Sequence, residues 1–226
     1  MSRPFFSVLV TAHNAEKFIH KGIESIINQS FQDFELIVVC DKCTDKTADV
    51  VSEYIRPGKD KLIVGDFISS KNEALDNAGG EWVLFMDHDD WFLHEYVFQM
   101  IHDAVVDLKD IDLLSFGFIW KGFGYRVSTP EHIYPVQWTK AWRREFIGEE
   151  RFPLWSAIDD YGFAVKMYPK ARIMFWDMPM YYYNYMVKGS GSERMMDGTQ
   201  NDFSDLPPYA QEAARQYIED MRNNAF

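Results

Sequence analysis

The sequence predicts an α/β fold: a doubly wound, mostly parallel sheet flanked by helices. Three observations carry the prediction. Short, wholly apolar runs alternate with amphipathic helical stretches through the first 117 of 226 residues, the signature of successive βαβ units. Polar clusters close three of those runs, at 11–14, 40–41 and 87–90. In such sheets the strands share one carboxyl edge, and ligands bind there. The balance of 47% apolar and 26% charged residues is that of a globular domain with a full core.

The elements follow in order. Residues 5–11 form a buried-strand run, and Ile19, Ile23, Ile26 and Ile27 then repeat at helical spacing. Residues 35–40 are a second strand, and Thr44 or Asp45 can cap a helix reaching Tyr54. Residues 62–64 are a weak third strand. Ser69 or Ser70 can cap a helix to Ala78, stopped by Gly79 and Gly80. Residues 82–86 are the fourth strand. Val97, Met100, Ile101, Ala104, Val105 and Leu108 line one helix face, and residues 112–118 are the fifth strand.

The second half reads differently. Residues 123–136 suit a loop or β excursion. Helices are expected at 138–147 and 158–168, and strands at 172–177 and 180–185. A Gly/Ser loop at 188–192 and a polar stretch at 197–208 precede a last amphipathic helix through Ala210, Ala213, Ala214, Tyr217, Ile218 and Met221.

Net charge and cysteines narrow the function. At −12, the field repels nucleic acid and anionic lipid heads, and an anionic substrate would need a metal or a local cationic patch. No apolar run approaches the roughly 20 residues that span a bilayer, and no signal-peptide pattern opens the chain. Cys40 and Cys43 are too few and too close for a disulfide framework. A cytoplasmic location is the expectation, with at most a peripheral seat on the inner face of the membrane. The Cys-x-x-Cys spacing also allows a redox or zinc role, although no second cysteine pair exists.

Asp87 and Asp89 alternate at a strand end, so both can reach one hard cation, Mn²⁺ or Mg²⁺, that clamps a diphosphate. The competing reading makes Asp89 or Asp90 a helix cap. Asp41 can accept a hydrogen bond from a uracil imide, or simply shape a turn. Asp159 and Asp160 open a helix, where acids complement the dipole, or one removes a proton from an attacking hydroxyl. Lys71, Arg143, Arg144, Lys188 and Arg194 are the candidate cations for phosphate. Lys188 and Arg194 flank the Gly/Ser loop as a lid would require.

These residues together resemble family 2 glycosyltransferases, whose fold is GT-A, from Ser7 to about Arg194. Residues 7–14 resemble the family's opening strand, and residues 24–39 its helix and second strand. Asp45-Lys46-Thr47, Ser70-Lys71-Asn72, the run from Gly80 to Asp90, Trp138-Thr139-Lys140, Asp159-Asp160 and Tyr181-Tyr182-Tyr183-Asn184-Tyr185 follow in the family's order. The resemblance implies a Rossmann-like nucleotide-sugar half at 1–118 and a smaller acceptor-side half at 119–226, in one compact domain.

It further implies an inverting, metal-dependent transfer from a nucleotide-sugar donor, UDP-linked, to a hydroxyl of a glycan or lipid-linked acceptor. Thr11, Asn14, Asp41, Lys71, Asp87 and His88 would bind the donor. Asp89 and Asp87 would hold the metal. Asp160 would be the base, with Asp159 beside it. Departures stand at His13 for Tyr, Cys40 for Asp, Lys42 and Cys43 for Gly and Ser, and Lys71 for Arg, which loses bidentate geometry. A non-catalytic nucleotide- or glycan-binding module on the same fold is the main alternative. A nucleotidyltransferase is a weaker one, because residues 11–16 lack the glycine-rich loop those enzymes carry after their first strand.

Overall fold

The computed structural model describes residues 3–154 and 159–185, with isolated positions 187, 211 and 215. The expected lid at 188–192, with Lys188 and Arg194, the polar stretch, the final helix and the turn at Ser156-Ala157 lie outside the described residues.

The first four strands are β1 (Phe6–Ala12), β2 (Phe34–Asp41), β3 (Lys61–Gly65) and β4 (Trp82–Asp87). Helices α1 (Ile19–Ile27), α2 (Thr47–Ser52) and α3 (Ser70–Asp76) link them. The four strands pair in parallel, in the order β3-β2-β1-β4. Then come β5 (Trp91–Phe92), α4 (Val97–Val105), β6 (Leu113–Trp120) and β7 (Gly124–Arg126). Last are β8 (Lys140–Arg143), α5 (Arg144–Ile147), α6 (Asp159–Met167), a 3₁₀ turn (Tyr168–Lys170) and β9 (Ile173–Tyr183).

The sheet is less parallel than the sequence suggested. Beyond β4 it continues as β8-β6-β9-β5, with β7 paired to β6. β8 is antiparallel to both β4 and β6, while β6 and β9 are parallel. The expected helix at 138–147 is therefore strand over 140–143, and only 144–147 are helical. Lys140, Ala141 and Trp142 are all buried, because β8 lies inside the sheet. Sheet packing overrides local preference in so short a segment. The two expected strands at 172–177 and 180–185 are one strand. Its register shifts around Gly117, where Pro179 is the partner residue. Proline cannot donate to the ladder and is tolerated at such irregularities, which is why the sequence looked broken there.

Caps also differ in detail. α2 begins after Lys46 with no side-chain cap, and Asp45 instead accepts from Thr47 N at 3.0 Å. Ser69 does cap α3, accepting from Asn72 N at 3.3 Å. Alternate residues of β1 and β2 feed opposite faces: Val8, Val10, Leu36 and Val38 enter one core cluster, and Leu9, Ile37 and Val39 the other. The first cluster includes residues of α1 and α4, the second those of α3 and α6. Both faces of the central strands are thus covered, as parallel sheets require.

Candidate active site

β1, β2 and β4 end level with one another. Thr11 stands in register with Val39 on one side and Asp87 on the other, so the three polar clusters lie along one edge. Two left-handed residues turn the chain there, Asn14 at φ 49° and Lys42 at φ 50°; asparagine tolerates that conformation best among ordinary residues. Side chains lock these turns together. Asn14 Oδ1 accepts from Thr44 N at 2.8 Å. His13 Nδ1 pairs with the Asp41 carbonyl at 2.8 Å, and His88 Nδ1 with the Thr11 carbonyl at 3.0 Å. A carbonyl only accepts, so Nδ1 carries the proton in both rings. One Asp41 oxygen accepts from Phe67 N at 2.9 Å, so Asp41 shapes the β3–α3 loop as well as bordering the edge.

The acids after β4 divide into two kinds. Asp90 is 1% exposed and structural: Tyr181 Oη donates to its Oδ2 at 2.8 Å, and Asn184 N to its Oδ1 at 2.8 Å. Tyr181 Oη also accepts from Asp87 N at 3.2 Å. Neither Asp89 nor Asp90 caps a helix, since β5 follows and α4 starts only after Tyr96. That excludes the capping alternative. Asp87 and Asp89 face less protein and make no side-chain ion pair among the described residues. Burial raises both pKa values. For Asp87, Lys71 works against burial and Asp89 adds to it; for Asp89, His88 and Lys121 oppose. Two such carboxylates suit a hard cation completed by phosphate and water. Among the described residues no set of three or more His, Cys, Asp or Glu side chains forms a self-sufficient metal cage.

From across the edge, α3 delivers Lys71 and α6 delivers Asp159 and Asp160. Lys71 Nζ donates to Asp159 Oδ1 at 2.9 Å and to Asp160 Oδ1 at 2.7 Å. Asn72 fastens α3 to the segment between α5 and α6 through a reciprocal pair with Phe152, N to Oδ1 at 2.8 Å and Nδ2 to O at 2.9 Å. Burial opposes the Lys71 charge, but Asp159, Asp160 and Asp87 outweigh it and hold its pKa above the ordinary value. Asp160 is pushed up to about 6, by burial first and by the Asp159 and Asp87 charges, with Lys71 pulling the other way. Gln137, 1% exposed, supports Asp160 from behind, its backbone N 3.4 Å from Oδ2 and its Nε2 3.3 Å from the Asp160 carbonyl.

The structure therefore brings Lys71, Asp87, Asp89, Asp159 and Asp160 into one electrostatic group, and sets Thr11, Asn14, Asp41 and His88 along the same edge. It does not bring Arg143 and Arg144 there. Arg143 donates to Ile111 O and Glu81, and Arg144 to Gly80 O, at the opposite end of β4. They are structural cations, not phosphate ligands. Cys40 and Cys43 are free thiols, and burial together with Cys43 pushes Cys40 up to about 12. A thiol so hard to ionise is a poor redox group. Gln137 and the Tyr181–Asp90 clamp were not read from the sequence; the adjacent Asp89-Asp90 pair was the one available hint, since only one of two neighbouring acids can share a strand face with Asp87.

A mixed sheet with a parallel half, ending in an acid group fed by α3 and α6, defines the GT-A class of α/β fold. Within that class the chain belongs to Glycosyl transferase family 2, whose family model matches residues 7–165. Among curated proteins it is 27% identical over 212 residues to the putative glycosyltransferase EpsH of Bacillus subtilis, covering 81% of this chain and 61% of EpsH. It is 31% identical over 203 residues to the poly(ribitol-phosphate) beta-N-acetylglucosaminyltransferase TarS of Staphylococcus aureus, covering 79% of this chain and 35% of TarS. A crystal structure of a TarS fragment in complex with UDP-GlcNAc superposes with a TM-score of 0.68 at 26% identity, covering 85% of this chain and 63% of that one. The chain thus spans less than two thirds of these relatives' length. No helix among the described residues is long and apolar enough to cross a membrane.

Proposed function

We propose that the chain is an inverting glycosyltransferase that moves a sugar from a UDP-linked donor to a hydroxyl of a glycan or lipid-linked acceptor. The observation that carries the proposal is the Lys71 bridge, which holds Asp159 and Asp160 beside Asp87 at the carboxyl edge of the sheet. The UDP-GlcNAc complex of the TarS fragment supports the donor class. In this reading residues 1–118 bind the nucleotide sugar and residues 119–226 serve the acceptor.

Thr11, Asn14, Asp41 and His88 border the base and ribose. Asp87 and Asp89 would hold Mn²⁺ or Mg²⁺, which supplies positive charge to the leaving diphosphate. Lys71 lies within the same group and shares its charge between the acids and the donor's phosphates. Asp160 takes the proton of the acceptor hydroxyl. The hydroxyl oxygen bonds to the anomeric carbon as the bond from that carbon to the diphosphate breaks on the opposite face, and UDP leaves. A single base near its working pH, with no nucleophile required, suits one displacement and inversion.

The test is to screen nucleotide sugars for Mn²⁺-dependent hydrolysis or transfer, with Asp89→Ala alongside. The wild type should turn over a UDP-sugar, and the variant should lose metal-dependent UDP binding in calorimetry. Equal UDP binding by both proteins would overturn the metal assignment, and the absence of turnover and of binding for every donor would overturn the activity.

A further inference from the structure

Arg126 of β7 is a half-buried cation with no acid partner among the described residues, and the sheet carries it to the edge of the candidate site. β8 is antiparallel to both β4 and β6, so β6 runs with β4 and ends at the same edge. Leu84 and Leu114 both stand beside Ala141. Asp87 and Gly117 lie three residues further on, so Phe118 is one residue beyond the level of Asp87. β9 pairs with β6 from Leu113 to Trp120, so β7 takes the other side of β6, in line with β8 and toward β4. Arg126 stands opposite Phe118, and opposite residues of an antiparallel pair share a face. On that face the Phe118 ring meets Tyr134 at 5.3 Å and Trp138 at 4.9 Å, and Trp138 stacks on Tyr181 at 4.9 Å. This aromatic floor joins the two parts of the site. Tyr181 clamps the turn carrying Asp87 and Asp89, and Gln137, next to Trp138, gives its N–H to Asp160 at 3.4 Å. Tyr125, on the opposite face, pins the hairpin: its hydroxyl donates to Asp177 Oδ1, and its ring lies so close over Gly117 that a Cβ there would collide with it.

Among the described residues Arg126 makes one hydrogen bond, from Nη1 to the carbonyl of its neighbour Tyr125 at 2.8 Å, while its Nε is buried without a partner. Acids outnumber Lys and Arg by 35 to 23, and Arg56, Arg143, Arg151 and Arg172 each pair with one. A guanidinium stripped of water on one side and left without a counter-charge costs free energy. An anion reaching its open side meets a charge strengthened by that burial, in the planar geometry that fits phosphate or carboxylate. The other cations near the site are committed: Lys71 is held by Asp159 and Asp160, and Arg143 and Arg144 lie at the opposite end of β4. We infer, resting on the reading above, that Arg126 determines acceptor specificity: the acceptor carries an oxyanion, a phosphate or a carboxylate, and the guanidinium holds it at the margin of the aromatic floor while a hydroxyl of the same molecule faces Asp160. A neutral acceptor would need no such cation. An anionic one could not otherwise approach four carboxylates in a chain of net charge −12.

The experiment titrates ¹⁵N-labelled wild type, with UDP and Mg²⁺ present, with glucose 6-phosphate, glucuronate and glucose while the assigned Arg126 Nε–H cross-peak is followed by NMR. The peak should move with at least one of the two anions at concentrations where glucose leaves it in place, and the anion acting at the lower concentration names the oxyanion. In transfer assays with that anion's sugar as acceptor, Arg126→Gln should raise the acceptor KM tenfold or more with kcat within twofold, Arg126→Lys should recover part of the loss, and calorimetry should find UDP bound as in wild type. A peak that ignores both anions, or moves equally with glucose, would overturn the inference, and so would an unchanged acceptor KM in Arg126→Gln. Should the variants not fold, the wild-type titration decides alone. An anion-dependent shift in a protein that turns over no nucleotide sugar would bring down the activity proposed above and leave the anion site standing.

Discussion

In the proposed reaction Asp160 meets two opposed demands, since a base must be ionised in order to act and basic enough to take a proton. Its pKa of about 6 satisfies both near neutral pH, burial raising it and the Lys71 ammonium limiting the rise. The sign of the pH dependence follows directly. Above about 6 the carboxylate is free to accept a proton; below it the base is already protonated, and kcat/KM should fall toward tenfold per pH unit. A pH–rate profile flat from 7 down to 5 would remove Asp160 from the reaction. Asp160→Asn keeps the shape and loses the basicity, so kcat should fall by about 10²–10⁴-fold while calorimetry finds UDP bound as before. The acids themselves were visible in the sequence, Asp87 and Asp89 at the end of an apolar run and Asp159 and Asp160 at the start of a helix, but each also had a capping, turn or dipole reading that only the fold could weigh. Gln137 was not, because it acts through the fold and stands more than 20 residues from Asp160. Arg143 and Arg144 stood among the candidate cations for phosphate since local sequence does not say to which end of the sheet a cation returns.

At the scale of elements, β4 carries the most constraint. It enters beside β1 through Gly80, where a Cβ would lie 2.4 Å from Ser7 N and 2.6 Å from Phe6 C. Both obstacles are backbone and cannot rotate away, so Gly80→Ala should destabilise by about 1–3 kcal/mol through overpacking, read as a lower denaturant midpoint at unchanged slope. β4 leaves through the Asp87–Asp90 turn, which Tyr181 of β9 clamps at Asp87 N and Asp90 Oδ2. Tyr181→Phe strands a buried carboxylate oxygen and an amide, at a cost of about 1–3 kcal/mol, and should weaken metal-dependent UDP binding because the turn carries Asp87 and Asp89. Stability lost with undiminished UDP binding would show the clamp to be purely structural. These contacts explain what the sequence revealed. β1 to β4 each combine a continuous apolar run with a following helix pattern, and the order of such units is local information. β8 is four residues long and buried through Lys140 to Trp142, so no periodicity marks it as strand. β9 hides its continuity behind Pro179.

The whole molecule carries a net charge of −12, and its candidate site adds Asp87, Asp89, Asp159 and Asp160 against Lys71. A donor bearing a diphosphate would enter that field against repulsion unless a cation accompanied it. UDP and Mn²⁺ should therefore bind as a thermodynamic unit, each raising the other's affinity, since affinity coupling between two ligands is reciprocal. Melting temperature reports this in the native protein. At UDP concentrations near a hundred times Kd, with saturating Mn²⁺, binding adds about 2.7 kcal/mol, which for a chain of this size is a rise of roughly 5–10 °C. UDP alone should give a much smaller rise, and Asp89→Ala should reduce the combined effect to that of UDP alone. The coupling should also persist at high salt, because direct ligation in a partly buried site is screened less than a surface field. Equal shifts with and without Mn²⁺ would mean that Lys71 and the backbone suffice for the diphosphate, and the paired carboxylates of β4 would then need another explanation.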